Sequence, residues 1–154
     1  GNVLRGPTVK DYLYRHCKHL KNVVNDVEFT IKRELGISQE NLDQFGIIKF
    51  VELGPGTGIP LHVENIRRVR GPIFLVPFGE NITLDMAPTL VASCIGKNGF
   101  IIRTELESAC ICLLSGDSRY DWSYGVPPVG SSSRFFMTYS LEERLVDILS
   151  GVSM

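Results

Sequence analysis

From Gly46 onward the chain breaks into short β-rich runs at 46–53, 72–78, 81–86, 90–95, 100–104, 109–114 and 134–139. Gly, Pro, Asn, Asp and Ser punctuate them, as turns between strands require. A parallel sheet needs crossover connections of about a dozen residues or more, and these gaps leave almost no room for such helices. The spacing therefore predicts an antiparallel sandwich or jelly roll. With 154 residues, 44% of them hydrophobic, the chain suits one domain with a real core and is too short for two.

Helical periodicity is confined to the ends. Thr8-Val-Lys-Asp11 resembles a capping box, and Val9, Leu13, Cys17, Leu20, Val24, Val27, Ile31 and Leu35 then recur every three or four residues up to Gly36. That predicts an amphipathic helix within a helical segment 8–45, broken near Asn25-Asp26. His16 and His19 on it read as solvated helix-face residues. At the other end Ser140-Leu-Glu-Glu143 predicts the cap of a short helix, 141–150, burying Leu141, Leu145, Ile148 and Leu149.

The net charge of −1 and a pI near 6.3 give no global attraction to nucleic acid or to a membrane surface. Cys17, Cys94, Cys110 and Cys112 lack C-x-x-C pairing, so neither zinc nor a disulfide is expected, and Cys110 and Cys112 read as buried strand residues. Without a signal peptide or an apolar run near 18 residues, the sequence predicts an intracellular, cytoplasmic location with no membrane insertion. Its abrupt ends suggest a piece of a longer protein.

The stretch FVELGPGTGIPLHVEN at 50–65 admits two readings. As strand, Gly-rich turn and helix it would hold S-adenosylmethionine in a methyltransferase, with Glu80 as the acidic residue that grips the ribose. As strand, turn and strand it presents His62 and Glu64 as an H-x-[DE] metal pair, both side chains on one face. The methyltransferase needs helices alternating with strands throughout, and after 70 no helix-period segment appears before Leu141. The second reading is therefore preferred.

The blocks that follow carry a family resemblance. GPIFLVPFGENITLDM, LLSGDSRYDWSYGVPP at 113–128 and RFFMTYS at 134–140 follow the H-x-[DE] turn in fixed order. The whole resembles the AlkB family of iron- and 2-oxoglutarate-dependent dioxygenases, most nearly its tRNA-modifying branch and the AlkB-like domains of RNA viruses. That family runs N-x-Y, P-G-x-G-I-P-x-H-x-D, S-L-G-x-x-x-x-M-x-F, G-x-S-R-Y-x-W-x-H-G-I and R-x-x-x-T-F-R. The resemblance covers about 46–140 and implies a double-stranded β-helix, in agreement with the strand spacing. The expected fold class is thus α+β, mainly β: a jelly roll at 46–140 with an N-terminal amphipathic helix and a short C-terminal one.

Carried over residue by residue, the resemblance places metal ligands at His62, Glu64 and Tyr124, with Glu64 where the family has Asp and Tyr124 where it has its distal histidine. A phenol of pKa ~10 is a poor replacement for imidazole at neutral pH. The cosubstrate positions fall on Val51, Leu53, Arg134 and Ser140, where the family has Asn, Tyr and two arginines. Only His62 and Arg134 are unchanged. Losses at both metal and cosubstrate predict a catalytically inactive AlkB-like module with no cofactor, binding RNA or a protein partner within a viral or RNA-processing protein. An active iron(II)/2-oxoglutarate RNA demethylase or hydroxylase and the methyltransferase are the alternatives. Arg67, Arg68 and Arg70, with Arg119, form the expected partner-binding cluster at the pocket rim. Tyr120 and Trp122 read as core, and the Asn81-Ile-Thr83 sequon as incidental.

Overall fold

The computed structural model describes residues 3–5, 15, 18–63, 71–89, 101–116, 121–128, 130, 132–142 and 144–145. Two helices precede most of the sheet: α1, Lys18–Leu35, and α2, Gln39–Phe45. The strands are β1 Val3–Arg5, β2 Gly46–Leu53, β3 Ile59–His62, β4 Ile73–Phe78, β5 Ile82–Pro88, β6 Ile102–Leu106, β7 Cys112–Leu114, β8 Trp122–Val126 and β9 Arg134–Leu141. They form a five-stranded sheet, β1-β2-β9-β4-β7, and a four-stranded sheet, β3-β8-β5-β6. Every described pairing is antiparallel. This is the expected mainly β jelly roll with helices at one side.

Alternation along the strands sorts side chains into an interior between the sheets and an outer layer. On β9, Met137, Tyr139 and Leu141 join Val24, Val27 and Ile31 of α1, Leu42 and Phe45 of α2, and Phe74 and Val76 of β4 in one cluster. Arg134, Phe136, Thr138 and Ser140 have the opposite parity and face the smaller sheet. Burial of Val24, Val27 and Ile31, each fully covered, contributes about 1.5–3 kcal/mol apiece toward docking α1. Pro77 is tolerated inside β4 because β7 pairs only with Ile73, Phe74 and Leu75, so no ladder bond there calls for its missing N–H, while its carbonyl accepts from Ala109 N–H at 2.8 Å.

A buried polar contact sets the pose of α1. The Tyr139 hydroxyl donates to Glu28 Oε2 at 2.7 Å, and Gln39 Nε2 donates to Oε1 at 3.3 Å. Gly46 is required beside them, since a Cβ there would collide with the Tyr139 hydroxyl and the Leu42 carbonyl. Tyr139→Phe removes one partner of a carboxylate that is 2% exposed, so a loss of about 1–3 kcal/mol in urea unfolding is expected.

Several expectations need correction. The α1 helix runs through Asn25 and Asp26 without a break, because both lie on its solvent face while Val24, Val27 and Glu28 are buried. Ser140 does not cap a helix. It lies in the central strand β9, between Ile47 and Ile73, and the strand continues to Leu141. Cys110 lies outside β7, and both it and Cys112 are half-buried free thiols. Burial pushes both thiols up, helped by Glu107 at Cys110 and by Cys110 at Cys112. The run expected at 90–95, His16, Cys17, Cys94, Tyr120, Ile148 and Leu149 lie outside the described residues, as does the side chain of His19.

Candidate functional site

The ELGPGTG segment runs from β2 through a turn into β3, not into a helix. With every described pairing antiparallel, this is not the nucleotide-binding strand-turn-helix of a methyltransferase. Thr57 closes the turn, its N–H donating to the Gly54 carbonyl at 3.1 Å and its hydroxyl donating to the same oxygen at 2.6 Å.

The turn delivers His62 opposite Tyr124 as register partners on β3 and β8. Ile59 pairs with Val126, so three residues on β3 span two on β8, and the bulge puts Ile59 and His62 on the same interior face. Gly125 makes this close approach of the strands feasible: a Cβ there would lie 2.5 Å from the Ile59 carbonyl oxygen. The His62 and Tyr124 rings are tilted by 45° with centroids 4.6 Å apart. His62 Nδ1 lies 3.0 Å from the Pro60 carbonyl, which can only accept, so Nδ1 carries a proton and Nε2 is the basic nitrogen of the neutral ring.

Tyr124 is buried. It packs with Ile73, Leu75, Leu84 and Leu114 and lines an apolar cavity of about 20 Å³ between the sheets, room for about one water. Val51 and Leu53 belong to a second apolar cluster with Ile82, Val126 and Phe136. The structure thus brings His62 and Tyr124 together, and gives Val51, Leu53, Arg134 and Ser140 one interior-facing parity on β2 and β9.

Arg134 is 5% exposed. Its Nη1 donates to the Pro127 carbonyl at 3.1 Å and its Nη2 to the Thr57 carbonyl, while the buried Nε has no hydrogen-bond partner. The guanidinium therefore ties the ELGPGTG turn to the end of β8. Among the described residues no three His, Cys, Asp or Glu side chains gather as a metal site. Glu64, Arg67, Arg68, Arg70 and Arg119 lie outside the described residues.

Sequence reasoning did not single out the Asp85–Arg103 pair. Arg103 grips the buried Asp85 carboxylate with two bonds, Nε to Oδ1 at 2.7 Å and Nη2 to Oδ2 at 2.9 Å. The pair lines an outer groove of about 360 Å³ with Pro60, Leu61, Pro127 and Pro128. Opposite charges that face each other on neighbouring strands β5 and β6 but lie 18 residues apart in sequence leave no local signal.

No protein-family model matches the chain. Among curated proteins it is similar to the tRNA (carboxymethyluridine(34)-5-O)-methyltransferase alkbh8 of Xenopus tropicalis, at 27% identity over 118 residues. The match covers 77% of this chain but 16% of that protein. Solved structures with a related strand course include an RmlC-like cupin with a double-stranded β-helix fold from Methanocaldococcus jannaschii, at 11% identity and a TM-score of 0.44 over 66% of this chain and 74% of that one. The Schizosaccharomyces pombe Cnp3 cupin domain matches at 10% identity and a TM-score of 0.44, over 71% of this chain and 65% of that one. The relationship to AlkB-like proteins is distant and partial. No helix among the described residues is long and apolar enough to cross a membrane.

Proposed function

We propose that this chain is an AlkB-like jelly roll without oxygenase chemistry that serves as an RNA-binding module. The observation that carries the reading is Tyr124: at the position of the resembling family's distal histidine stands a phenol packed among Ile73, Leu75, Leu84 and Leu114. An iron(II) site with two histidines and one carboxylate needs a second imidazole there. The cosubstrate side supports the same reading, since Val51 and Leu53 offer no hydrogen bond and Arg134 already donates to two backbone carbonyls. The residues present do not fit iron(II) and 2-oxoglutarate. One observation favours the active alternative: His62 donates Nδ1–H to a backbone carbonyl, the orientation typical of a metal-ligating histidine. Titration with metal and cosubstrate, argued below, separates the two.

RNA as the partner rests on the similarity to a tRNA-modifying protein and on the basic residues that follow β3 in sequence, Arg67, Arg68 and Arg70, with Arg119. Phosphate contacts release counterions, so affinity for a tRNA stem-loop is expected to fall steeply with salt and to drop further when Arg67, Arg68 and Arg70 become alanine. Filter binding across a salt series measures this. Absence of salt-dependent binding at low ionic strength would turn the reading toward a protein partner.

A further inference from the structure

The outer edge of the smaller sheet carries a self-complementary sequence. Strand β6 reads Ile102-Arg103-Thr104-Glu105-Leu106 and ends the order β3-β8-β5-β6, so among the described residues nothing pairs with its far side. Arg103, Thr104 and Glu105 are exposed, and Ile101 and Ile102 are 37% and 46% exposed. An edge strand of this kind offers unpaired N–H and C=O groups as a template for another strand.

We propose that β6 pairs antiparallel with β6 of a second copy of this chain, about a two-fold axis through Thr104, joining the two small sheets into one. The register follows from the sequence. With Thr104 opposite its own copy, Ile102 lies opposite the copy's Leu106 and Arg103 opposite its Glu105, and the same two pairs recur across the axis. Residues directly opposite in an antiparallel pair share a face, so both apolar pairs continue the interior surface and both charge pairs stay on the outer one. Shifting the pairing by two residues would place Arg103 opposite Arg103, or Glu105 opposite Glu105, and like charges directly opposite destabilise a sheet. The symmetric register is thus selected by charge as well as by face.

The side chains are already held where this pairing needs them. Asp85 engages Nε and Nη2 of Arg103 from β5, leaving Nη1 for the copy's Glu105. Asn81 Nδ2 donates to Glu105 Oε1 at 3.2 Å, which holds that carboxylate on the outer face. A closed two-fold interface uses the same patch on both subunits and stops at the dimer, whereas other strand additions at an open edge risk fibres. The contact is small, so the dimer should be weak and concentration-dependent.

Sedimentation velocity on the intact chain over about 10–500 µM, a range bracketing a weak interface, is expected to show a monomer–dimer equilibrium that loosens as salt rises. Glu105→Arg, which sets two arginines opposite each other twice per dimer, should weaken association by at least about tenfold. In the wild type, amide exchange should slow with concentration at alternate residues of 102–106, a readout that needs no variant. A protein monomeric throughout that range overturns the proposal. So does a dimer that ignores Glu105→Arg and leaves 102–106 unprotected, because its interface then lies elsewhere.

Discussion

Titrated by calorimetry with manganese(II) as an oxygen-stable substitute for iron and with 2-oxoglutarate, the protein is expected to bind neither tightly, and Tyr124→His is expected not to rescue them. On the proposed reading the loss is spread over two sites. Glu64 carries one methylene more than the resembling family's aspartate, and Tyr124 removes an imidazole. Val51 and Leu53 lie in an apolar cluster with Val126 and Phe136, and Ser140 stands in place of an arginine, flanked by Ile47 and Ile73. Each lost hydrogen bond to a charged carboxylate costs ~1.5–3 kcal/mol, so three or four weaken the cosubstrate by several orders of magnitude. Histidine at 124 repairs one ligand and leaves the dicarboxylate without partners. It also sets an imidazole among Ile73, Leu75, Leu84 and Leu114, at a cost of about 1–3 kcal/mol in stability. Micromolar cosubstrate affinity, or succinate released from methylated RNA above the no-enzyme control, would sink this reading and promote the active enzyme.

The parts of this fold that depend on local pattern were legible in the sequence. Strand β2 falls on 46–53 as the run of Ile, Lys, Phe and Val predicts, and β4, β5 and β9 differ from expectation by one or two residues. The resemblance supplied what periodicity could not, namely that residues 62 and 124 come together, and the register sets them opposite each other on β3 and β8, with Tyr124 lining the interior cavity and His62 half-buried beside it. Strand β8 was not among the runs expected from the sequence: Ser123 and Gly125 interrupt it and prolines follow it, and only the place of Trp122–Val126 between β3 and β5 makes them a strand. Strand β1 has three residues, too short for alternation to register. Likewise Ser38 caps α2 by accepting from the Asn41 N–H at 3.2 Å, yet seven residues after a glycine stop are too few for helical periodicity. The bulge between Ile59 and His62 was hidden for another reason. It depends on Gly125 of a different strand, so nothing near residue 60 announces it.

Arg134 was legible as an identity and not as a role. A guanidinium kept for a dicarboxylate is held ready at some expense to the ligand-free fold, so replacing it leaves stability unchanged or raises it. A guanidinium that ties segments together does the reverse. Here Nη1 and Nη2 donate to the Pro127 and Thr57 carbonyls, which belong to the end of β8 and to the turn before β3, the two strands that carry Tyr124 and His62. Arg134→Ala leaves two carbonyls without their donor and a void at a site 5% exposed, so a loss of about 3–5 kcal/mol is expected in ligand-free protein. Arg134→Lys can donate from one point but cannot span both acceptors in the planar fork of arginine, and should cost about 1–3 kcal/mol. Urea unfolding measures both, and amide exchange at Thr57, Gly58 and Ile59 should quicken in the lysine variant before global unfolding, since the turn is released first. The unpartnered Nε gives the experiment its second arm. If that atom waits for a carboxylate, 2-oxoglutarate will raise the unfolding midpoint of the wild type and not of Arg134→Lys. With Arg134 committed to the backbone, the ligand moves neither midpoint, and the arginine that looks most like surviving cosubstrate chemistry is the one holding β3 against β8.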